Sequence, residues 1–178
     1  MTDDELCRVM LVYLSRVAPA GPALRNQGTG GMVDAAREFL QKVDLGSIPA
    51  KKQADFADWL DRKTESLRRS LPRDGRHWGA ARKVMNLFLR HACYNVYVRE
   101  RYQLQRTESW LEVPLDGIVG KKLREAAGHG KLPRWPGLKN LDKDVSERYQ
   151  EFAAEYASAK ATARVHLDPL LWGGDRTS

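Results

Sequence analysis

The chain has 178 residues, 42% of them hydrophobic and 30% charged, with a formal net charge of +7. That is enough apolar chain for one globular domain with its own core, it argues against intrinsic disorder, and no apolar run approaches the roughly 18–20 residues of a membrane span. Cys7 and Cys93 are too few for a disulfide framework, a four-cysteine zinc site or an iron–sulfur cluster, and the acidic start Met1-Thr2-Asp3-Asp4-Glu5 is unlike a signal or transit peptide. The expectation is a cytoplasmic chain with free thiols.

The periodicity predicts helices almost throughout. Leu6, Val9, Met10, Tyr13, Leu14 and Val17 recur at helical spacing, and Thr2 with Glu5 forms a capping-box pattern. Residues 18–31 hold two prolines and four glycines and read as a loop. A second helix is expected from about Met32 to Val43, with Val33, Ala36, Phe39 and Leu40 on one face. A third runs from about Ala50 to Ser70, with Phe56, Trp59, Leu60 and Leu67 inward, and Pro72 and Gly75 end it. A long helical pattern starts near Gly79 and continues toward Arg106, striped by Val84, Leu87, Phe88 and Ala92. Its Tyr94–Val98 run is β-branched and aromatic, so a kink or short strand is an option there. Pro114 to Asp116 punctuates the chain before a short helix, Gly117 to Ala127. A Gly/Pro-rich loop, 128–137, leads to a long amphipathic helix carrying Val145, Tyr149, Phe152, Ala153 and Tyr156. A last apolar segment, Val165 to Trp172, precedes a tail at 173–178. One all-α domain, residues 1–172, is the expected architecture.

The positive charge is local. Between residues 62 and 106 stand twelve basic and three acidic residues, an excess of +9, and the remainder of the chain carries −2. Ten of the twelve are arginines, suited to bidentate phosphate contact. Such a segment on a near-neutral body is the footprint of a nucleic-acid binder, and equally the pattern of a solvated helix face. Within it, the helix ending at Pro72, the turn Arg73-Asp74-Gly75-Arg76-His77-Trp78-Gly79 and the helix opening Ala80-Ala81-Arg82-Lys83 form a helix–hairpin–helix pattern. The second helix would offer free backbone N–H groups and its positive dipole end to a phosphate, with Arg76, Gly79, Ala80 and Arg82 as the DNA contacts. An ordinary helical hairpin is the plainer alternative.

Two further segments matter. Val113-Pro114-Leu115-Asp116-Gly117-Ile118-Val119 places a carboxylate at a helix start, where an N-cap is the simplest role. Leu24-Arg25-Asn26-Gln27-Gly28-Thr29-Gly30-Gly31 is a polar, glycine-rich loop. In this order, the glutamine loop, the hairpin with Lys83 and the aspartate segment resemble the helix–hairpin–helix DNA glycosylases over roughly residues 20–125. The aspartate segment is similar to the Val-Pro-Val-Asp-x-x-Val string in which that family's catalytic aspartate caps a helix. The loop is similar to the family's Leu-Ser-x-Gln-x-Thr. The hairpin itself departs from the usual Leu-Pro-Gly-Val-Gly. The long interval from Lys83 to Asp116 resembles the archaeal 8-oxoguanine glycosylase branch, and kinship with bacterial phage-defence glycosylases acting on modified cytosine is a further suspicion.

The resemblance implies an enzyme that flips a damaged or modified base out of double-stranded DNA and cleaves its N-glycosidic bond, with or without AP-lyase activity. Asp116 would stabilise the cationic sugar, Lys83 would be the amine nucleophile, and Gln27 would fill the space left by the base. Lys83 must lose its proton to attack, and desolvation in a buried site beside the hairpin, together with neighbouring Arg82, is the expected cause of a lowered pKa. Asn26, Trp78, Tyr94, Trp110, His166, Asp168 and Trp172 are candidates for the base pocket, with core packing or ion pairing the plainer role for each. The histidines at 77, 91, 129 and 166 have no metal-ligand spacing, and no P-loop, dinucleotide fingerprint or nucleophile elbow is present, so no metal or cofactor is expected. A monomer is expected. The other readings are a non-catalytic DNA-binding module and a helical protein whose basic segment meets an acidic partner. Which base is removed, and whether lysine or water attacks, stay open at this point.

Overall fold

The computed structural model describes residues 2–28 and 30–173. Thr29 of the glutamine loop and the tail residues 174–178 lie outside them. Among the described residues the chain is all-α, with no strand. The helices are α1 (Asp3–Val17), α2 (Met32–Gln41), α3 (Gln53–Ser70), α4 (Trp78–Tyr94), α5 (Val96–Arg101), α6 (Gly117–Ala127), α7 (Lys143–Ser158) and α8 (Leu167–Gly173), linked by short 3₁₀ turns. Among the described residues no helix is long and apolar enough to cross a membrane.

Local chemistry sets the boundaries. Thr2 and Glu5 close the expected capping box on α1. The long pattern expected from Gly79 to Arg106 is two helices, because Asn95 leaves the helical region and its side chain accepts the Val98 N–H, ending α4 and starting α5. The β-branched run Tyr94–Val98 is therefore a kink and not a strand.

Two apolar cores form. The first gathers α1 to α5 around Leu40, Phe56, Leu60, Leu67, Met85 and Phe88. The second gathers α6, α7 and α8 around Val113, Val119, Leu123, Tyr149 and Leu167. Helix α4 stands between them, with twelve of its seventeen residues buried, so its amphipathic stripe is only part of what it packs. Helix α1 departs from the sequence reading. It buries Cys7, Leu14 and Ser15 and leaves Val9, Val12 and Tyr13 on the surface. Met10, Leu11 and Val17 are partly buried against the first core beside them, so the inward face is rotated from the expected stripe.

The α3–α4 hairpin corrects the expected DNA contacts. Gly79 is buried beneath residues 138–141, and Ala80 is buried in the first core. A β-carbon at Gly79 would sit 2.5 Å from the Leu138 carbonyl oxygen and 2.7 Å from Leu141 Cβ. The glycine thus permits close packing within the protein and not the approach of a DNA backbone. Gly79→Ala is expected to lower stability by about 1–3 kcal/mol, read as a lower midpoint in urea unfolding, since the backbone oxygen cannot step aside. An unchanged midpoint would mean that the 138–141 segment packs elsewhere.

Arg82 is corrected in the same way. It is buried and bound to Glu112 (2.8 Å through both Nε and Nη2), to Asp61 (2.7 Å) and to Thr64 (3.1 Å). Asn86 adds a bond to Glu112 (2.9 Å). This network ties α3 and α4 to the chain before α6, and no donor of it is turned to a phosphate. Arg76 remains exposed, its Nε donating to the Leu71 carbonyl at 3.0 Å.

Candidate active site

Residues 111–116 run without helical bonding and deliver one side chain between the cores. Gln150 of α7 holds this segment as a strand partner would, accepting from Val113 N (3.1 Å) and donating to Val113 O (2.8 Å). Arg164 donates to the carbonyls of Leu111 (3.1 Å) and Trp110 (2.8 Å). At the end of the segment Asp116 is the N-cap of α6. Its Oδ1 accepts the N–H groups of Ile118 and Val119, both at 2.9 Å. Its Oδ2 is free of the cap and faces Lys83, 3.4 Å from Nζ.

Both side chains are nearly buried, Lys83 with 7% and Asp116 with 9% of its surface exposed. Burial holds the Lys83 amine below its ordinary pKa, and Arg90 acts in the same sense, while Asp116 opposes them. Burial is one of the two causes that the sequence suggests; Arg82, the other, is not among the causes, since Glu112 and Asp61 pair with it. The cation that presses on Lys83 is Arg90, two turns along α4.

The pair lies in the wall of a cavity of about 450 Å³ between the cores. Helix α4 lines it with Lys83, Leu87, Arg90, His91 and Tyr94, the chain after α1 adds Ala18, Ala20 and Ala23, and α8 adds Asp168, Pro169 and Trp172. Arg90 and Asp168 form an ion pair within it, and Arg90 Nε is buried without a hydrogen-bond partner. His91 is held neutral, its pKa lowered to about 4 by burial and by Arg90.

Tyr94 is the far post of the cavity. Its hydroxyl lies 2.9 Å from His166 Nδ1, and the rings stack at 5.5 Å. His166 Nε2 lies 2.9 Å from Glu108 Oε1. The Arg99 hydrogen bonds hold Glu108 below the usual carboxylate range, so it accepts only. Since Glu108 only accepts, His166 Nε2 donates to it.

The expected pocket residues therefore divide. Tyr94, Asp168 and Trp172 line the cavity with Lys83 and Asp116. His166 is behind it, steadying Tyr94. Trp78 is packed against the second core with Arg82 over its ring at 5.3 Å. Trp110 packs on the first core beside Phe56. Asn26 is exposed in a left-handed turn at φ 60° and is not part of the lining. Gln27 is buried, its Nε2 donating to Arg25 O at 3.2 Å and its Oε1 without a partner. It does not project from the surface as a wedge would.

Comparison with known proteins finds no match. No family model fits the chain, and neither the curated proteins nor the solved structures include a similar one.

Sequence reasoning missed Arg90, Leu87 and His91. Lys83, Leu87, Arg90 and Tyr94 recur at i, i+4, i+7 and i+11, a single helix face that the apolar stripe obscured. Glu112 was missed because the guanidinium it holds, that of Arg82, stands 30 residues away in sequence.

Proposed function

We propose that the chain is a DNA N-glycosylase that works through Lys83 and Asp116. The observation that carries this reading is the buried Lys83–Asp116 pair, 3.4 Å apart, in the wall of a cavity between two cores. The two groups come from segments 33 positions apart, and a buried lysine whose pKa is lowered by desolvation, beside a carboxylate, suits this chemistry.

In this mechanism the target nucleotide leaves the duplex and its base enters the cavity. The bond from C1′ to the base nitrogen breaks, the electron pair leaves with the base, and positive charge develops on the sugar. Asp116 Oδ2 stabilises that charge. Lys83 Nζ bonds to C1′ and gives up a proton to the departing base; the C1′–O4′ bond then breaks, O4′ takes the second amine proton, and an imine forms. Loss of a C2′ proton to solvent, its electron pair shifting to form the C2′–C3′ double bond, expels the 3′ phosphate. Arg90, Asp168 and Tyr94 offer the polar groups that would read the base. Lys83 and Tyr94 stand eleven residues apart on α4, about 16 Å of helix. The setting is the cytoplasm, where both cysteines stay as buried thiols.

The test is borohydride trapping with strand cleavage on duplexes containing uracil, 8-oxoguanine, hydroxymethylcytosine, glucosylated hydroxymethylcytosine or an abasic site. The expected result is a covalent adduct on at least one duplex that is lost in Lys83→Ala. Its rate should rise with pH and level off below the pKa of an ordinary lysine. Base release without an adduct would transfer the attack to water. Absence of both, with DNA still bound, would overturn the catalytic reading in favour of a binding module.

A further inference from the structure

A second concavity, of about 440 Å³, opens on the other side of the Asp116 cap. Lys121 and Arg124 of α6, His129 and Arg134 of the following loop, and the indole of Trp135 line it, with Glu125 the one acid. Lys121 is shared with Glu125 at 3.8 Å. Arg124 and Arg134 are exposed, and no described carboxylate pairs with either. The site therefore keeps an uncompensated double positive charge on arginines, in a chain region whose overall charge is otherwise near neutral.

The tryptophan is built into this site. A β-carbon at Gly120 would lie 2.6 Å from Trp135 Cε3, and one at Gly117 would lie 3.9 Å from Nε1. The indole thus runs along α6 from Gly120 to the residue directly after Asp116. Tyr149 meets it edge-on at 5.5 Å and fixes its tilt. A flat aromatic wall beside unpaired guanidinium groups matches a ring bearing a phosphate: the ring packs on the indole and the arginines take the oxygens. An acidic peptide would use the charges alone, whereas a nucleotide would use the charges and the part of the indole left open to the concavity. The volume is within the usual range for small-ligand sites, about 300–1,000 Å³.

We infer that this concavity is a nucleotide subsite, holding a phosphate on Arg124 and Arg134 with its ring against Trp135. Because Gly117 joins this wall to Asp116, the nucleotide comes from the strand whose extruded base occupies the cavity. For that source alone the inference rests on the glycosylase reading. A free nucleoside monophosphate has the same chemistry and is the other source.

Calorimetric titration of the protein with a 5′-phosphorylated thymidine trinucleotide, thymidine monophosphate and inorganic phosphate, each at low and moderate salt, tests this. The trinucleotide is expected to bind most tightly. Arg124→Ala/Arg134→Ala, on the surface and compatible with folding, should weaken it about tenfold or more. The salt slope should fall by roughly 0.7 for each phosphate that is no longer neutralised. Trp135→Phe should weaken the trinucleotide and the monophosphate while sparing inorganic phosphate. Thymidine monophosphate binding as tightly as the trinucleotide, with the same losses, would support the site and assign it to free nucleotides. Inorganic phosphate binding as well as either would overturn nucleotide recognition, as would binding unchanged in the double variant or absent altogether. The two readings fail separately. Trinucleotide binding that depends on Arg124 and Arg134 without any Lys83 adduct sinks the glycosylase alone. An adduct with wild-type binding in the double variant sinks this subsite alone.

Discussion

Asp116→Asn is expected to lower base release by about 10²–10⁴-fold while leaving the protein folded. Asparagine is as good an N-cap as aspartate, so the bonds from Ile118 and Val119 persist and α6 keeps its start. What is lost is the charge on the oxygen facing Lys83. An abasic duplex separates the two roles, since its sugar needs no help in shedding a base. On that duplex the asparagine variant should still trap a Lys83 adduct, because removing Asp116 removes the group that favours the protonated amine. Asp116→Ala should lose the cap as well, at about 1 kcal/mol of additional stability. Equal base release by wild type and Asp116→Asn would reduce the residue to its cap.

The second large effect is on stability. Arg82→Ala is expected to cost about 3–5 kcal/mol, because it strands Glu112 as a buried carboxylate beside Asn86. Urea unfolding reads it directly, and replacing Glu112 in the same protein should recover part of the loss, as a double-mutant cycle would show. DNA affinity of the folded fraction should be nearly unchanged. A loss under about 1 kcal/mol with a sharp drop in DNA affinity would return Arg82 to a nucleic-acid surface.

These expectations show what could be read before the fold was known. Helix starts governed by neighbouring residues were legible: the Thr2–Glu5 box is present, and the Asp116 cap is where its sequence context puts it. The helical class followed from period, as at Phe56, Trp59, Leu60 and Leu67, all buried. Arg82 was misread because charge in a sequence carries no sign of its partner, and Glu112 and Asp61 are distant along the chain. Gly79 was misread for a related reason. A glycine announces that something comes close, and only the fold shows that it is Leu138 and Leu141. Of the pocket aromatics, Trp78 and Trp110 went to cores, while Tyr94 and Trp172, on elements bordering the seam, line the cavity. Sequence pattern identifies which rings are large, and the topology decides which have room beside them.

The segment that carries Asp116 has a mechanical consequence. Glu112 is bound to Arg82 of the first core, and the next residue, Val113, is clamped by Gln150 of the second. Adjacent residues are thus moored to opposite halves of the molecule. Melting either half pulls on the other, so unfolding is expected to be a single cooperative event despite two separate apolar centres, read as coincident transitions by different probes. The same tether sets the spacing across the boundary between the cores, and with it that of Lys83 and Asp116, with no strand among the described residues to do so.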